Sequence, residues 1–221
     1  MGYLIENLKL VTSPLRTPMI GIIPHVWMIN IRGLATPDQV TLILQSCGRE
    51  AGFQYALDQP YGDDECARLI EASSAVLQLS RQALFESFAQ TFMEDAKKRW
   101  PVWFEMAPTA RDFLERQPRI HDRFGRGLNH HHRGDTTVTS KFDVQETAQG
   151  LRVLYRSPNQ LCQLYMAMTR ALLAHYQETA VLSQTACTHQ GDAHCDIHID
   201  WPASPTSLTS AVVPTPPAAL A

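Results

Sequence analysis

The spacing of apolar residues changes near the middle of the chain. Cys66, Leu69, Ile70, Ser73, Val76 and Leu77 recur three and four apart behind Asp63 and Asp64, which suits an amphipathic helix with an acidic first turn. Ser80 offers a cap for a second helix burying Leu84, Phe88, Phe92 and Ala96. Trp100-Pro101 ends or bends it, because proline disfavours a helical residue before it. A third helical piece starts near Thr109 and presents Phe113 and Leu114. Pro118 predicts its end, and a fresh helix from about Pro118 carries Ile120, His121 and Phe124 before a loop from Gly125 to Gly134. Beyond that loop the period is two. Val138, Ser140, Phe142 and Val144 alternate, as do Leu151, Val153 and Tyr155, with Ala148-Gln149-Gly150 as the turn of a hairpin. A helix with Leu161, Leu164, Tyr165, Met168 and Leu172 on one face follows. A last hairpin runs from Val181 to Thr188, turns about Gly191-Asp192 and returns through Cys195, Ile197, Ile199 and Trp201. Helices first and antiparallel strands later predict an α+β fold, with an N-terminal helical lobe followed by a sheet lobe with helices.

The two ends read differently. Thr12-Ser13-Pro14 and Thr17-Pro18 discourage regular structure, so residues 1–18 are expected to be an extension. From Pro202 onward the chain is mostly Pro, Ala, Ser, Thr and Val without charge, which predicts a disordered tail over 202–221 and one domain over 19–201.

Composition narrows the function classes. The chain has 221 residues, 44% of them hydrophobic and 19% charged, as in a globular protein with a sizeable core. A net charge of −3 offers no basic face and argues against nucleic acid as a partner. No stretch approaches the ~20 apolar residues that cross a bilayer. The run from Pro18 to Ile31 is broken by Pro24, His25 and Asn30 and lacks the marks of a secretory signal, so no membrane association is expected. Five cysteines, an odd number, with no export signal point to a reducing cytoplasm, where clustered cysteines more often bind metal than form disulfides.

Two sets of residues carry candidate chemistry. Cys187 and Cys195 sit symmetrically about Gly191, and Cys162 lies near a helix start, where the dipole favours a thiolate. Three such sulphurs suit zinc, which takes four tetrahedral nitrogen or sulphur ligands; buried free thiols are the other reading. His121 stands beside apolar neighbours on a short helix. On its own it reads either as a core imidazole bonded to a carbonyl or as a metal ligand over an apolar slot. No nucleophile–base pair or phosphate loop stands out, so no enzymatic activity is expected.

Met19-Ile20-Gly21, Tyr61-Gly62-Asp63-Asp64-Glu65, the run Ala110 to Phe124, and Leu154-Tyr155-Arg156-Ser157-Pro158 resemble, in this order, segments of haem nitric oxide/oxygen-binding (H-NOX) domains. The likeness spans roughly residues 19 to 200. It implies a haem b in a cleft between the two lobes. Phe113-Leu114 precede a proximal ligand, His121, and a tyrosine-x-serine-x-arginine motif holds the propionates through Tyr155, Ser157 and the third position, here Asn159. Asparagine brings neither charge nor a bidentate fork; Arg156 and Arg152 are candidate substitutes, although adjacent strand residues face opposite sides. Ser140 stands where the family has a proline pressing on the porphyrin. Asn129-His130-His131-His132 read as a solvated loop. Leu164 falls at the distal position, where an aliphatic lining favours nitric oxide and a tyrosine, such as its neighbour Tyr165, would favour oxygen.

The resemblance also implies a zinc site at Cys162, Cys187 and Cys195. The family's fourth ligand, a histidine, is replaced by Gln184, which leaves His189 nearest, then His194 and His198. The implied function is a nitric oxide sensor that signals through movement of the His121 helix to a separate protein, a histidine kinase or a cyclic-di-nucleotide enzyme. The alternatives are a haem-free module for a small hydrophobic ligand, its last hairpin resembling four-vinyl-reductase-type binding domains, and a zinc or thiol redox sensor.

Overall fold

A computed structural model describes residues 19–129, 141–157 and 159–202. The expected N-terminal extension, Ser140, the histidines at 130–132 and the tail after Pro202 lie outside the described residues. The chain opens with a short strand β1 (Met19–Ile20) that pairs with β2 (Pro60–Tyr61). Gly21 follows β1 where a Cβ would stand 2.0 Å from the Ala56 carbonyl oxygen, so only glycine allows this turn into α1.

Four helices make the N-terminal lobe: α1 (Ile22–Leu34), α2 (Pro37–Ser46), α3 (Asp63–Leu77) and α4 (Arg81–Arg99). Trp27 anchors their core, with its ring 5.1 Å from that of Phe88 and its indole N–H donating to Ser73 Oγ at 3.0 Å. Helix α3 starts as its acidic turn predicts, and Ser80 Oγ accepts from the Ala83 amide at 3.1 Å to cap α4. Helix α2 was not singled out from apolar spacing, yet Thr36 and Gln39 form a reciprocal capping box around Pro37. Trp100 ends α4, and Pro101 opens the short α5 (Pro101–Glu105).

One expectation fails at Pro118. The residues form a single helix α6 (Ala110–Asn129) with Pro118 inside it, neither a break at 118 nor a loop from 125. A proline within a helix removes one N–H donor, but the turns on either side keep their own bonds. His121 therefore rides on the same rod that begins at Ala110.

The sheet is antiparallel, in the order β3-β4-β6-β5, from β3 (Phe142–Glu146), β4 (Gly150–Tyr155), β5 (Val181–Ala186) and β6 (Cys195–Asp200). Leu151, Val153 and Tyr155 alternate onto the buried face and pair with Ile199, Ile197 and Cys195. Helix α7 (Cys162–His175) packs this sheet against α4 and joins the lobes into one core. Glu178 ties the far end of the sheet to α6: its carboxylate accepts from the Ala110 amide at 2.9 Å and from the Trp201 indole at 2.7 Å. The fold is thus the α+β arrangement the pattern predicts. Among the described residues, no helix is long and apolar enough to cross a membrane.

Candidate functional site

His121 projects from α6 onto the first residue of the sheet. Its ring lies 4.6 Å from that of Phe142, tilted by 41°. Burial, aided by the Lys141 ammonium, pushes its pKa down to about 4, so the imidazole is neutral with a free lone pair near pH 7. Phe142 pairs with Tyr155 across β3 and β4, and its ring is 5.1 Å from Tyr155 and 5.2 Å from Tyr165. The two tyrosine rings stack 5.8 Å apart. Phe142 is thus the ring that touches both the histidine and the tyrosine pair. Both tyrosines are buried, and burial pushes the Tyr155 phenol up to about 12 and raises that of Tyr165. The Tyr165 hydroxyl has no hydrogen-bond partner among the described residues.

Leu164, the expected distal residue, and its neighbour Tyr165 stand side by side in α7. Leu164 is buried in α7, but Tyr165 is the one whose side chain reaches the Phe142 ring. Consecutive helical residues point about 100° apart, so one neighbour facing the cluster turns the other away. The Phe142 ring lies against both His121 and Tyr165, so a flat macrocycle beside His121 would meet this ring.

Past β4, Ser157 is buried and its Oγ accepts from the Asn159 amide at 3.3 Å. The Asn159 Oδ1 is buried without a partner among the described residues, so what this side chain turns inward is an acceptor. Of the candidate substitutes for the missing cation, Arg152 is committed elsewhere. Its guanidinium grips Asp196 through Nε at 3.0 Å and Nη2 at 2.6 Å, on the sheet face opposite Tyr155. Arg156 is exposed and lines, with Ser157, Thr188 and Asp192, an open cavity of about 340 Å³.

A second cluster joins α7 to the last hairpin. The sulphurs of Cys162, Cys187 and Cys195 all lie within 4.8 Å of one another. Cys187 and Cys195 do not face each other in the ladder, where Ala186 pairs with Asp196 across a bulge; a 3₁₀ turn at Thr188–Gln190 brings them together. Thr188 donates its amide to Cys195 Sγ at 3.4 Å. His189 does not join the sulphurs, because its Nε2 lies 2.7 Å from the Gln160 carbonyl. The dipole expected to favour a Cys162 thiolate is outweighed: burial first, then the neighbouring sulphurs, raise its pKa. Cys47 and Cys66 are buried core residues.

The donor chemistry fits a haem. A neutral imidazole stands on a helix against the Phe142 ring, hydroxyls sit at the strand end, and buried polar atoms at Tyr165 and Asn159 lack partners among the described residues. His121 and Tyr155 both contact Phe142, a neighbour of His121 that the sequence did not single out, although its alternation with Val144 placed it on the same face as Tyr155. Lys141, for which no sequence signal existed, was also passed over.

Fold and site together define a gas-sensing class of haem domain. The chain belongs to the haem-NO-binding (H-NOX) family, whose pattern it matches over residues 20–184. Among solved structures it is similar to an H-NOX protein from S. oneidensis in the Fe(II)NO state, with 18% identity, 83% of this chain and 99% of that one covered, and a TM-score of 0.69. An oxygen-binding H-NOX domain related to soluble guanylate cyclases matches at 15% identity over 83% and 95% of the two chains, with a TM-score of 0.66. No curated protein matches the chain by sequence.

Proposed function

We propose that this chain is a haem-dependent nitric oxide sensor that signals to a separate partner protein. The observation that carries this reading is the neutral His121 imidazole beside a buried aromatic cluster that holds an unpartnered hydroxyl. His121 would ligate haem b, and the Tyr155 and Ser157 hydroxyls would donate to its carboxylates. When bound, the haem supplies the iron that takes the gas. His121 touches β3 through Phe142, so a displacement of α6 is passed to the sheet, and a partner that prefers one arrangement reads the change. A histidine kinase or a cyclic-di-nucleotide enzyme is the partner class. Cys162, Cys187 and Cys195 would hold a zinc ion that ties α7 to the last hairpin.

Protein expressed with haem supply should show a Soret band that His121→Ala abolishes. A colourless protein containing zinc would sink this reading in favour of a thiol sensor, and a colourless metal-free one in favour of a haem-free binding module. A second reading, oxygen binding, is favoured by the Tyr165 hydroxyl, a buried donor without a partner. Nitric oxide selectivity predicts that the reduced protein shifts its spectrum with nitric oxide but gives no stable new spectrum in air. A stable shift in air that Tyr165→Phe removes would establish the oxygen reading instead.

A further inference from the structure

A porphyrin of the haem b type carries two carboxylates, and hydroxyls alone leave their charge unanswered. Tyr155 and Ser157 are neutral donors, Asn159 turns an acceptor inward, and Arg152 is spent on Asp196. Arg156 is exposed and directed to the cavity beside Asp192. Among the described residues, Lys141 is a further cation at this end of the sheet. The Lys141 carbonyl accepts from the Arg156 amide at 2.8 Å, which fixes residue 141 opposite the strand end that bears Tyr155 and Ser157. The next residue, Phe142, places its ring 4.6 Å from that of His121. Lys141 itself is only half-exposed, close enough for its charge to act on His121 and for the Asp63 carboxylate to act on it. Desolvating an ammonium is costly unless carboxylates answer it. With three N–H donors, Lys141 can serve Asp63 and a second carboxylate at once.

We propose that Lys141 is the cation that binds a porphyrin carboxylate in this chain, at the strand end that carries Tyr155 and Ser157. The proposal rests on the haem reading above, and its test separates the two. Haem-free protein is titrated with haem and with haem dimethyl ester, which lacks the carboxylate charges, and Kd is read from the Soret band. Lys141→Met should weaken haem by about tenfold or more, the scale of one charge-assisted hydrogen bond, and leave the ester unchanged. Lys141→Arg should restore most of the haem affinity. Equal losses for haem and ester would mean that Lys141 only supports the fold and would overturn the proposal, as would no loss for either. If wild type binds both and His121→Ala abolishes the band while Lys141→Met does nothing, the Lys141 assignment alone falls. A wild type that binds neither ligand overturns the haem reading and this inference with it.

Discussion

Replacing Phe142 with alanine should move stability and haem affinity in opposite directions. The ring makes three aromatic contacts, with His121 at 4.6 Å, Tyr155 at 5.1 Å and Tyr165 at 5.2 Å, and it is half-buried. Truncating a fully buried phenylalanine costs about 3–5 kcal/mol, so a half-buried one should cost roughly 2–3 kcal/mol. A porphyrin reaching His121 must first separate some of these rings, at about 0.5–1.5 kcal/mol per aromatic pair. The variant has no ring to move, so its haem-free form starts about 1–2 kcal/mol nearer the bound arrangement, a gain of roughly tenfold in affinity. Urea unfolding of the haem-free protein gives the first quantity and Soret titration the second; Phe142→Leu should fall between. If the variant loses stability and also binds haem less tightly than wild type, Phe142 is a wall of the haem site and not an obstacle at its entrance.

Acid should weaken the haem-free protein through His121. Its folded pKa of about 4 lies below the ordinary 6.5, so the unfolded chain takes up the proton first and stability falls as pH drops from about 6.5 to 4. Unfolding free energies from urea titrations at pH 7 and pH 5 should differ by about 2 kcal/mol on this account, and His121→Phe should flatten that dependence; an unchanged slope would disprove the burial of the imidazole. Gly150→Ala would set a Cβ 2.0 Å from the Ile199 carbonyl oxygen across the β4–β6 pair, so a loss of about 2–3 kcal/mol is expected in thermal or urea unfolding. Purified protein should contain one zinc per chain by elemental analysis, and Cys195→Ser should abolish it; zinc retained in that variant would place the metal elsewhere.

The parts of the fold legible in the sequence were those whose pattern is local. Helix α3, the Ser80 cap and both hairpins follow from spacing and turn residues within a few positions. Pro118 misled because proline's cost is a local rule, whereas the surroundings keep α6 continuous. Which α7 residue meets Phe142 turned on one residue of register: Leu164 and Tyr165 are both apolar enough for the core, and only the packing decides which one faces that ring. Lys141 was silent for a related reason. Its role depends on Asp63 and Arg156, far apart in sequence and near it only after folding.

The Glu178 clamp has a mechanical consequence. By holding Ala110 to Trp201, the residue just past β6, it makes the first turn of α6 a pivot. His121 lies eleven residues along the rod, about 16 Å out at 1.5 Å per residue, and Asn129 about 28 Å. A tilt of about 5° moves these points by roughly 1.4 and 2.5 Å, so the displacement grows along the rod from Ala110.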